Sequence, residues 1–414
     1  MKKIIFNPAC IVTIDTNGKN IKAGIEQGKV SPLFEHSIII EDGIIKDLIP
    51  NNSVRKNSDY EITDISGKTI LPGLIECHTH TAFAGSRANE FKEKISGIGY
   101  EEIAKRGGGI NTTVQAVRNS SFEELVNLMK PRIDNFISQG ITTLEIKSGY
   151  GLDFENEIKL LQLIKFLNEI YPIDIIPTFL GAHTLPNELK NDRGKYLKLI
   201  IEKMLPYISE QNLAVFCDGF CESTAFSAKE IDQVFTTASK LGLKLKLHTE
   251  QFNNISGLDV ALKHKAVSVD HLEVLRNEDI KKFYNTDTTA VLLPGVSFFL
   301  NYDYAPAREL IKNDIPVAIA TDYNPGSSHI SSLFLIMSLA ALKMKMTIEE
   351  IISAVTINSA KALCLENEIG SIEIGKKADF AVYNTTDYAD VVYSIGINLT
   401  EMTIKNGNII YRHS

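Results

Sequence analysis

The sequence predicts an α/β fold, in which a closed (β/α)8 barrel of the TIM type is joined to a small β-sandwich. Two observations predict it. Between residues 71 and 365, eight apolar strand-like runs alternate with amphipathic helical stretches, which is the pattern of a parallel barrel. Outside that region, short β-rich runs alternate with turn signals. We therefore predict a barrel domain over 71–365 and one composite β-sandwich domain over 1–70 and 366–414.

The sandwich is predicted from both ends of the chain. The first 70 residues are rich in β-branched residues, and Asn-Gly, Asp-Gly and Ser-Gly pairs divide them into strand-length runs, as expected for hairpins and turns. Near the C-terminus, Asn406-Gly407 separates two apolar runs, which is a strong hairpin signal. The two ends must meet in space to form one module.

The barrel strands are predicted from runs that are apolar almost throughout, as parallel strands buried on both faces should be. Helical patterns such as FEELVNLMKPRIDNFISQ lie between most of them. The predicted strands are ILPGLIECH, ITTLEIK, DIIPTFLGAH, LAVFCDGF, LKLKLH, AVSVDH, TTAVLLP and PVAIATD.

Composition restricts the partners and the compartment. The net charge of −8 argues against nucleic acid as a partner, because phosphate binding requires a basic surface. Five cysteines in 414 residues are too few and too scattered for a disulfide framework and fit a reducing cytosol. No apolar segment reaches 18 residues and no signal peptide is recognisable at the start, so we expect a cytoplasmic protein without a membrane span.

Polar side chains cluster where the predicted strands end, which is where the active sites of such barrels lie. His78 and His80 alternate along a strand end, so both imidazoles point to the same side. With His248 and Asp322 they offer three nitrogens and a carboxylate, a set that suits one Zn or Fe ion. Five of the nine histidines fall at these ends, namely His78, His80, His183, His248 and His271.

A metal ion at such a site activates water as a nucleophile near neutral pH. Asp322 could accept a proton while it remains a ligand. His271 could polarise a substrate carbonyl or move a proton, and the alternatives for His271 are a fourth histidine ligand or an oriented neighbour of the ligands. We therefore interpret Asp322 and His271 as the candidate catalytic residues.

At these residues the sequence resembles the amidohydrolase superfamily of metal-dependent hydrolases, over nearly the whole chain. The resemblance runs from the segment around His78 and His80, through His248 and Asp322, to the segment 370–380, whose implied role is that of a sandwich strand. Members with two metal ions carry a carboxylated lysine in the fourth barrel strand. The run LAVFCDGF contains no lysine, which favours a single divalent or trivalent ion.

Four stretches, 76–87, 107–114, 145–152 and 321–328, are similar to one branch of that superfamily. Its members hydrolyse 4-imidazolone-5-propanoate to N-formimidoyl-L-glutamate in histidine degradation, and the similarity also implies a homodimer. Metal ligands would be His78, His80, His248 and Asp322, substrate contacts would be Arg87, Tyr150, His183 and Gln251, and product contacts would be Asn324, Gly326 and Ser327. The Arg87 guanidinium is a suitable two-pronged donor for the propionate.

Three questions stay open at this point. Gln251 cannot act as a general base, so proton transfer would fall to His271 and Asp322, with Glu250 as the alternative. A deaminase acting on a heterocyclic base would need nearly the same metal ligands, but a neutral base does not require the Arg87 cation. A scaffold without catalytic activity is the third hypothesis, against which the complete ligand set argues.

Overall fold

The structure, a computed structural model, describes residues 2–55, 59–97 and 108–413. Gly107, part of one of the four stretches above, lies outside the described residues. The strands, in chain order, are β1 (Lys2–Phe6), β2 (Cys10–Val12), β3 (Pro32–Leu33), β4 (His36–Glu41), β5 (Ile44–Pro50), β6 (Glu61–Asp64), β7 (Thr69–Pro72), β8 (Leu74–Glu76), β9 (Ile141–Lys147), β10 (Asp174–Ala182), β11 (Phe216–Cys221), β12 (Lys244–Thr249), β13 (Ser268–His271), β14 (Thr289–Leu292), β15 (Val317–Ile319), β16 (Phe380–Tyr383), β17 (Thr400–Lys405) and β18 (Asn408–Arg412).

The described helices connect and flank these strands. They are α1 (Ala88–Ile95), α2 (Ile110–Asn119), α3 (Phe122–Ile137), α4 (Phe154–Ile170), α5 (Arg193–Leu199), α6 (Leu205–Glu210), α7 (Ala228–Lys240), α8 (Gly257–Lys263), α9 (Pro294–Leu300), α10 (Ala307–Lys312), α11 (Leu333–Met344), α12 (Ile348–Ala354), α13 (Ile357–Lys361) and α14 (Asp390–Tyr393). Short 3-10 helices span Gly24–Gly28, Asn51–Ser53, Asn187–Leu189 and Asn277–Phe283, and a π-helical turn spans Ile200–Met204.

The barrel is formed by β8 to β15, which pair in chain order and in parallel. Each of the eight predicted runs overlaps one of these strands. The first and last strands meet beyond their ends, where the His80 amide donates to the Tyr323 carbonyl at 3.0 Å and the Asp322 amide to the His78 carbonyl at 3.1 Å. This seam closes the sheet, and the predicted TIM-type barrel is confirmed.

The sandwich consists of two sheets, with strand orders β5-β4-β1-β6 and β18-β17-β16-β7-β2-β3. The second sheet combines strands from both ends of the chain, as predicted. Buried Ile38, Ile70 and Phe380 belong to one apolar cluster between the sheets. Asn406 and Gly407 join β17 to β18 with φ of 49° and 73°, the left-handed pair of a type I′ turn, so the predicted hairpin is confirmed.

One predicted barrel strand is two strands in the structure. The run ILPGLIECH is divided at Gly73, because β7 pairs with β16 in the sandwich while β8 pairs with β9 in the barrel. A Cβ atom at Gly73 would lie 2.3 Å from the Thr142 hydroxyl, so glycine allows the two layers to approach here. A single strand was the wrong interpretation because both halves are apolar and buried. The domain boundaries at 70 and 366 stay predictions.

Helix ends follow local sequence signals. The helices α3, α7 and α12 each begin with a capping box, in which an N-cap hydroxyl and a glutamate three residues later satisfy each other's backbone amides, as expected for this spacing.

All five cysteines are free thiols. Within the described ranges, no helix has both the length and the apolar character required to cross a membrane.

The contact between barrel and sandwich gives a first prediction. Gly140 and Gly242 each follow a helix and precede a barrel strand, with φ of 86° and 84°. A Cβ atom on Gly140 would lie 2.6 Å from Ala381 Cβ in the sandwich, whereas one on Gly242 would meet nothing within 4 Å. Both alanine variants lose about 1–2 kcal/mol through left-handed backbone strain, and Gly140→Ala loses a further ~1–3 kcal/mol through overpacking.

Urea unfolding of the two variants measures that difference directly. The backbone strain is matched between Gly140 and Gly242, so the excess destabilisation of Gly140→Ala reports the barrel–sandwich contact alone. Equal midpoints for the two variants would contradict the packing described here.

Candidate metal and active site

Five buried side chains converge at the carboxyl end of the barrel. His78 and His80 follow β8, His248 lies near the end of β12, His271 ends β13 and Asp322 lies three residues after β15. Each is at most 3% exposed. Strand ends that are distant in sequence therefore bring these side chains to one point, as the sequence predicted from the pattern of histidines.

The metal-binding geometry can be read from the distances between ligand atoms. Asp322 Oδ1 lies 3.3 Å from His78 Nε2 and 3.2 Å from His80 Nε2. His248 Nε2 lies 3.2 Å from His80 Nε2. Within the part of the chain that the structure describes, two groups have all their ligand atoms within 4.8 Å of one another, and both include His78. They are His78, His80 and Asp322, and His78, His248 and His271.

The donor atoms fit a metal ion. His78 Nε2 and Asp322 Oδ1 are buried, and among the described residues neither has a hydrogen-bond partner. Buried polar atoms are almost always paired, so two such atoms facing each other indicate a place where a cation can bind. Imidazole nitrogens with a carboxylate oxygen are a set that binds zinc and related transition metals. The site can therefore hold a metal ion.

The protonation states also suit metal binding. Burial lowers the pKa of His80 and lowers the pKa of His248 to about 3, so both imidazoles are neutral at pH 7. Burial opposes ionisation of Asp322, but the adjacent His78 and His80 rings outweigh it and hold the pKa of that carboxyl well below its usual range. Neutral imidazoles and an ionised carboxylate are the forms that ligate metals.

Two aspartates behind the histidines orient them, and sequence reasoning missed both roles. His78 Nδ1 donates to Asp270 Oδ2 at 2.6 Å, and His248 Nδ1 donates to Asp218 Oδ1 at 3.1 Å. Such bonds fix the tautomer that presents Nε2 to a metal. The signal in the sequence was the presence of single acidic residues in the otherwise apolar strands β11 and β13.

His271 differs from the other histidines. Burial alone would lower the pKa of His271, but the Glu273 carboxylate, with its Oε1 3.4 Å from His271 Nδ1, outweighs burial and raises it. His271 and Leu272 also have positive φ, 86° and 72°, and Asp322 has φ of 49°. Non-glycine residues held in this strained region are concentrated at functional sites.

Two aromatic side chains, His183 and Tyr150, pack beside the group formed by His78, His80, His248, His271 and Asp322. The His183 ring stacks on His80 at a centroid distance of 5.1 Å, and Tyr150 lies 5.4 Å from His183. His183 Nδ1 donates to the Gly149 carbonyl at 2.9 Å, which leaves Nε2 as an acceptor. Burial lowers the pKa of His183 well below its usual range, so this ring is a neutral hydrogen-bonding group beside the candidate metal ligands.

Arg87 brings a cation to the loop after Asp322. A Cβ atom on Gly326 would lie 2.0 Å from Arg87 Nη1, so the guanidinium packs directly on that glycine. Arg87 Nε donates to Glu90 Oε2 at 2.7 Å. Glu90 Oε1 in turn accepts from the Gly109 amide at 2.9 Å. The guanidinium is thereby held in one orientation at the edge of the site.

The loop after β15 is organised by Asn324. Its Nδ2 donates to the Asp322 carbonyl at 2.7 Å and to Asp322 Oδ2 at 2.9 Å. Its Oδ1 accepts from the amides of Gly326 and Ser327 at 2.8 and 2.7 Å. In this structure the Asn324 amide is therefore engaged in holding the Asp322 carboxylate and its own loop.

Gln251 and Glu250 directly follow β12, and their side chains lie in different environments. Gln251 is buried, and no hydrogen bond joins its side chain to another of the described residues. Burial raises the pKa of Glu250 to about 7, and the charged groups that act on it are Asp279, Lys282, Asp259 and Arg276. None of these four belongs to the group formed by His78, His80, His248, His271 and Asp322.

Comparison with known proteins identifies relatives. The amidohydrolase family profile matches residues 103–411. The chain is 40% identical to an imidazolonepropionase of Clostridium tetani over 420 residues, which covers all of both chains. It is 43% identical to an imidazolonepropionase of Geobacillus thermodenitrificans over 379 residues, or 90% of this chain and 89% of that protein.

Solved structures share the fold at much lower identity. A guanine deaminase of E. coli superposes with a TM-score of 0.76 at 14% identity and full coverage of both chains. An adenosine deaminase of Xanthomonas campestris, solved with bound zinc, has a TM-score of 0.72 at 15% identity and covers 98% of this chain and 92% of that one. At such identity the likeness establishes the fold alone.

Proposed function

The chain belongs to the imidazolonepropionases of the amidohydrolase family, and from this membership we propose its reaction and the role of each residue. It is a hydrolase that acts on a carbon–nitrogen bond of a cyclic amide. We infer that its substrate is 4-imidazolone-5-propanoate. Water adds to the ring carbonyl carbon, the bond from that carbon to the ring nitrogen breaks, and the product is N-formimidoyl-L-glutamate.

The proposed metal ligands are His78, His80, His248 and Asp322, which would hold one Zn or Fe ion. When bound, the ion supplies Lewis-acid activation of a water molecule and of the ring carbonyl. What supports this ligand set is the convergence of unpaired buried atoms, His78 Nε2 and Asp322 Oδ1, with the neutral rings of His80 and His248.

The chain's own catalytic groups are proposed to be Asp322 and His271. The Asp322 carboxylate accepts a proton from the attacking water and returns it to the ring nitrogen as the carbon–nitrogen bond breaks. His271, whose pKa is raised through Glu273, donates a hydrogen bond to the carbonyl oxygen as negative charge develops there. The second possibility for His271, a fourth histidine ligand, is consistent with its distance to His78 and His248.

The remaining residues are proposed to bind the propionate and the ring of the substrate. Arg87 binds the propionate carboxylate, and Tyr150, His183 and Gln251 hydrogen-bond the ring. After ring opening, the loop that contains Asn324, Gly326 and Ser327 contacts the product.

One observation favours 4-imidazolone-5-propanoate over a neutral heterocyclic base as the substrate. The Arg87 guanidinium packs on Gly326, in the loop that also carries Asp322, so a fixed cation lies beside the metal cluster. Glu90 engages Arg87 through Nε, so a carboxylate on the substrate can pair with the remaining guanidinium nitrogens, whereas a neutral base offers them no opposite charge. Deaminases among the solved structures share only the fold and do not change this choice.

The test is turnover of 4-imidazolone-5-propanoate by zinc-loaded protein. We expect the ultraviolet absorbance of the ring to disappear, formimidoylglutamate to form in equal amount, and no ammonia to be released. Ammonia release from a panel of heterocyclic bases, without turnover of the imidazolone, would replace this proposal with deamination.

We also propose a setting for the enzyme. The reaction belongs to histidine degradation in the cytoplasm, and the protein acts as a homodimer without a nucleic-acid or membrane partner. The negative net charge and the free thiols support this setting. Light scattering on the purified protein measures the oligomeric state, and a monomer would contradict the dimer.

A further inference from the structure

Two lysines are buried below the metal cluster, where charged side chains are rarely found. The side chains of Lys147, at the end of β9, and Lys246, in the middle of β12, are both 0% exposed. Burying an ammonium group is unfavourable unless it is paired with opposite charge. Lys246 precedes His248 by two residues, so it lies on the same side of the strand. The proposed reaction does not use either lysine.

Lys147 connects to both segments that carry the histidines. Its ammonium lies 2.7 Å from Glu145 Oε1 and 2.9 Å from Asp218 Oδ2. The second oxygen of Glu145 accepts from the Thr79 amide at 3.1 Å, and Thr79 is the residue between His78 and His80. The second oxygen of Asp218 accepts from His248 Nδ1 at 3.1 Å. One ammonium therefore anchors the backbone of His78 and His80 through one carboxylate and the ring of His248 through another.

Lys246 occupies an equivalent place behind His78. Its ammonium lies 4.0 Å from Asp270 Oδ2, the oxygen that accepts from His78 Nδ1 at 2.6 Å. It also donates to the carbonyls of Cys77 and Ala362 at 3.4 and 3.3 Å. Lys246, Asp270 and His78 are therefore connected in the same order as Lys147, Asp218 and His248. The lysine and the aspartate are farther apart in the Lys246 group, at 4.0 Å against 2.9 Å.

His80 provides an internal contrast. Its Nδ1 is buried and has no hydrogen-bond partner among the described residues. Its ring is held instead by stacking against His183 at 5.1 Å. Among the described residues, a lysine–aspartate pair therefore anchors His78 and His248 but not His80.

We propose that Lys147 and Lys246 are positioning residues for the metal site, each fixing the aspartate that orients one histidine ligand. This inference rests on the proposed function, because it takes His78 and His248 as ligands. Lys147 has the larger effect, since it contacts its aspartate directly and also holds the backbone at Thr79. Removing either lysine lets the aspartate rotate, so the imidazole loses the orientation that presents Nε2.

The sandwich offers a matched control. Lys405 is 3% exposed and bridges two carboxylates, Asp174 Oδ2 and Asp379 Oδ2, at 2.7 Å each. Like Lys147 it is a buried lysine between two acidic side chains, but it lies in β17, outside the barrel. Lys405→Met therefore reproduces the loss of a buried ion pair without touching the metal site.

The experiment measures Zn²⁺ affinity of metal-free protein by competition with a fluorescent chelator. We expect Lys147→Met to weaken Zn²⁺ binding about 10- to 100-fold, the range typical of residues behind the ligands. Lys246→Met should weaken it less, and Lys405→Met should leave it unchanged. The visible spectrum of Co²⁺-loaded Lys147→Met should also differ from that of the wild type, because the geometry around the ion changes.

Asp218→Asn keeps the proposal testable if Lys147→Met does not fold. The amide preserves the shape of the side chain while it removes the charge between Lys147 and His248, so a similar loss of affinity is expected. Wild-type Zn²⁺ affinity and an unchanged Co²⁺ spectrum in folded Lys147→Met, or in Asp218→Asn, would overturn the proposal.

The same series separates this inference from the proposed function. Wild-type protein that binds Zn²⁺ but does not open the imidazolone ring would overturn the proposed substrate, while the affinities of the variants would still decide the role of the lysines. Wild-type protein without Zn²⁺ affinity would overturn both.

Discussion

His248→Ala is expected to purify with almost no bound metal and to lose activity by more than about 100-fold, beyond the cost typical of residues behind the ligands. His248 supplies a neutral imidazole whose Nε2 lies 3.2 Å from His80 Nε2, and alanine removes that donor. The change also leaves Asp218 without the ring that it accepts from. Metal content by elemental analysis and kcat/KM at saturating Zn²⁺ measure the two effects.

His264→Ala is the matched control for His248→Ala. His264 is a partly buried histidine that contacts Asp232 Oδ1 at 2.6 Å, outside the metal cluster, so metal content and turnover should stay at wild-type values. Full metal retention with normal turnover in His248→Ala would remove His248 from the ligand set.

Arg87→Ala is expected to lower kcat/KM for 4-imidazolone-5-propanoate by about 30- to 4,000-fold. Truncating one partner of a buried, hydrogen-bonded charge pair costs roughly 2–5 kcal/mol, and each 1.4 kcal/mol is tenfold. Most of the change should be in KM, because the guanidinium binds a carboxylate that does not react. Steady-state kinetics with the propionate substrate measures it, and metal content should not change.

Two further variants test whether the position of the guanidinium matters as well as its charge. Gly326→Ala would place a Cβ atom 2.0 Å from Arg87 Nη1, so it should raise KM in the same direction as Arg87→Ala by moving the guanidinium. Gly194→Ala, where a Cβ atom meets nothing within 4 Å, is the control. An unchanged KM in Arg87→Ala would assign the carboxylate to another cation.

The barrel and the position of its site could be predicted because they depend on patterns along single strands. Apolar runs located all eight barrel strands, and polar residues at or just beyond the carboxyl ends of those strands pointed to His78, His248 and Asp322. The hairpin at Asn406 and Gly407 followed from two residues whose conformational preferences are strong. In each case the signal is local, so one sequence was enough.

The features that were missed depend on contacts across the barrel. Lys147 and Lys246 fit the alternation of an ordinary strand, and nothing local shows that their ammonium groups meet Asp218 and Asp270 from neighbouring strands. The division of one apolar run at Gly73 cannot be seen in the sequence either. Both halves of the run are apolar because each is buried, one in the sandwich and the other in the barrel. Asn324 was predicted to contact the product, whereas its amide here holds Asp322; its role toward a ligand stays a prediction.

The seam of the barrel has a consequence for how the protein matures. Glu76 accepts a hydrogen bond from the Thr321 amide, a residue 245 positions away in the chain, and His78 and Asp322 lie just beyond these two residues. The entropic cost of closing a loop rises with its length, so we expect this junction to form late in folding. The candidate ligand set therefore exists only after the barrel has closed on itself, and an incompletely folded chain cannot begin catalysis.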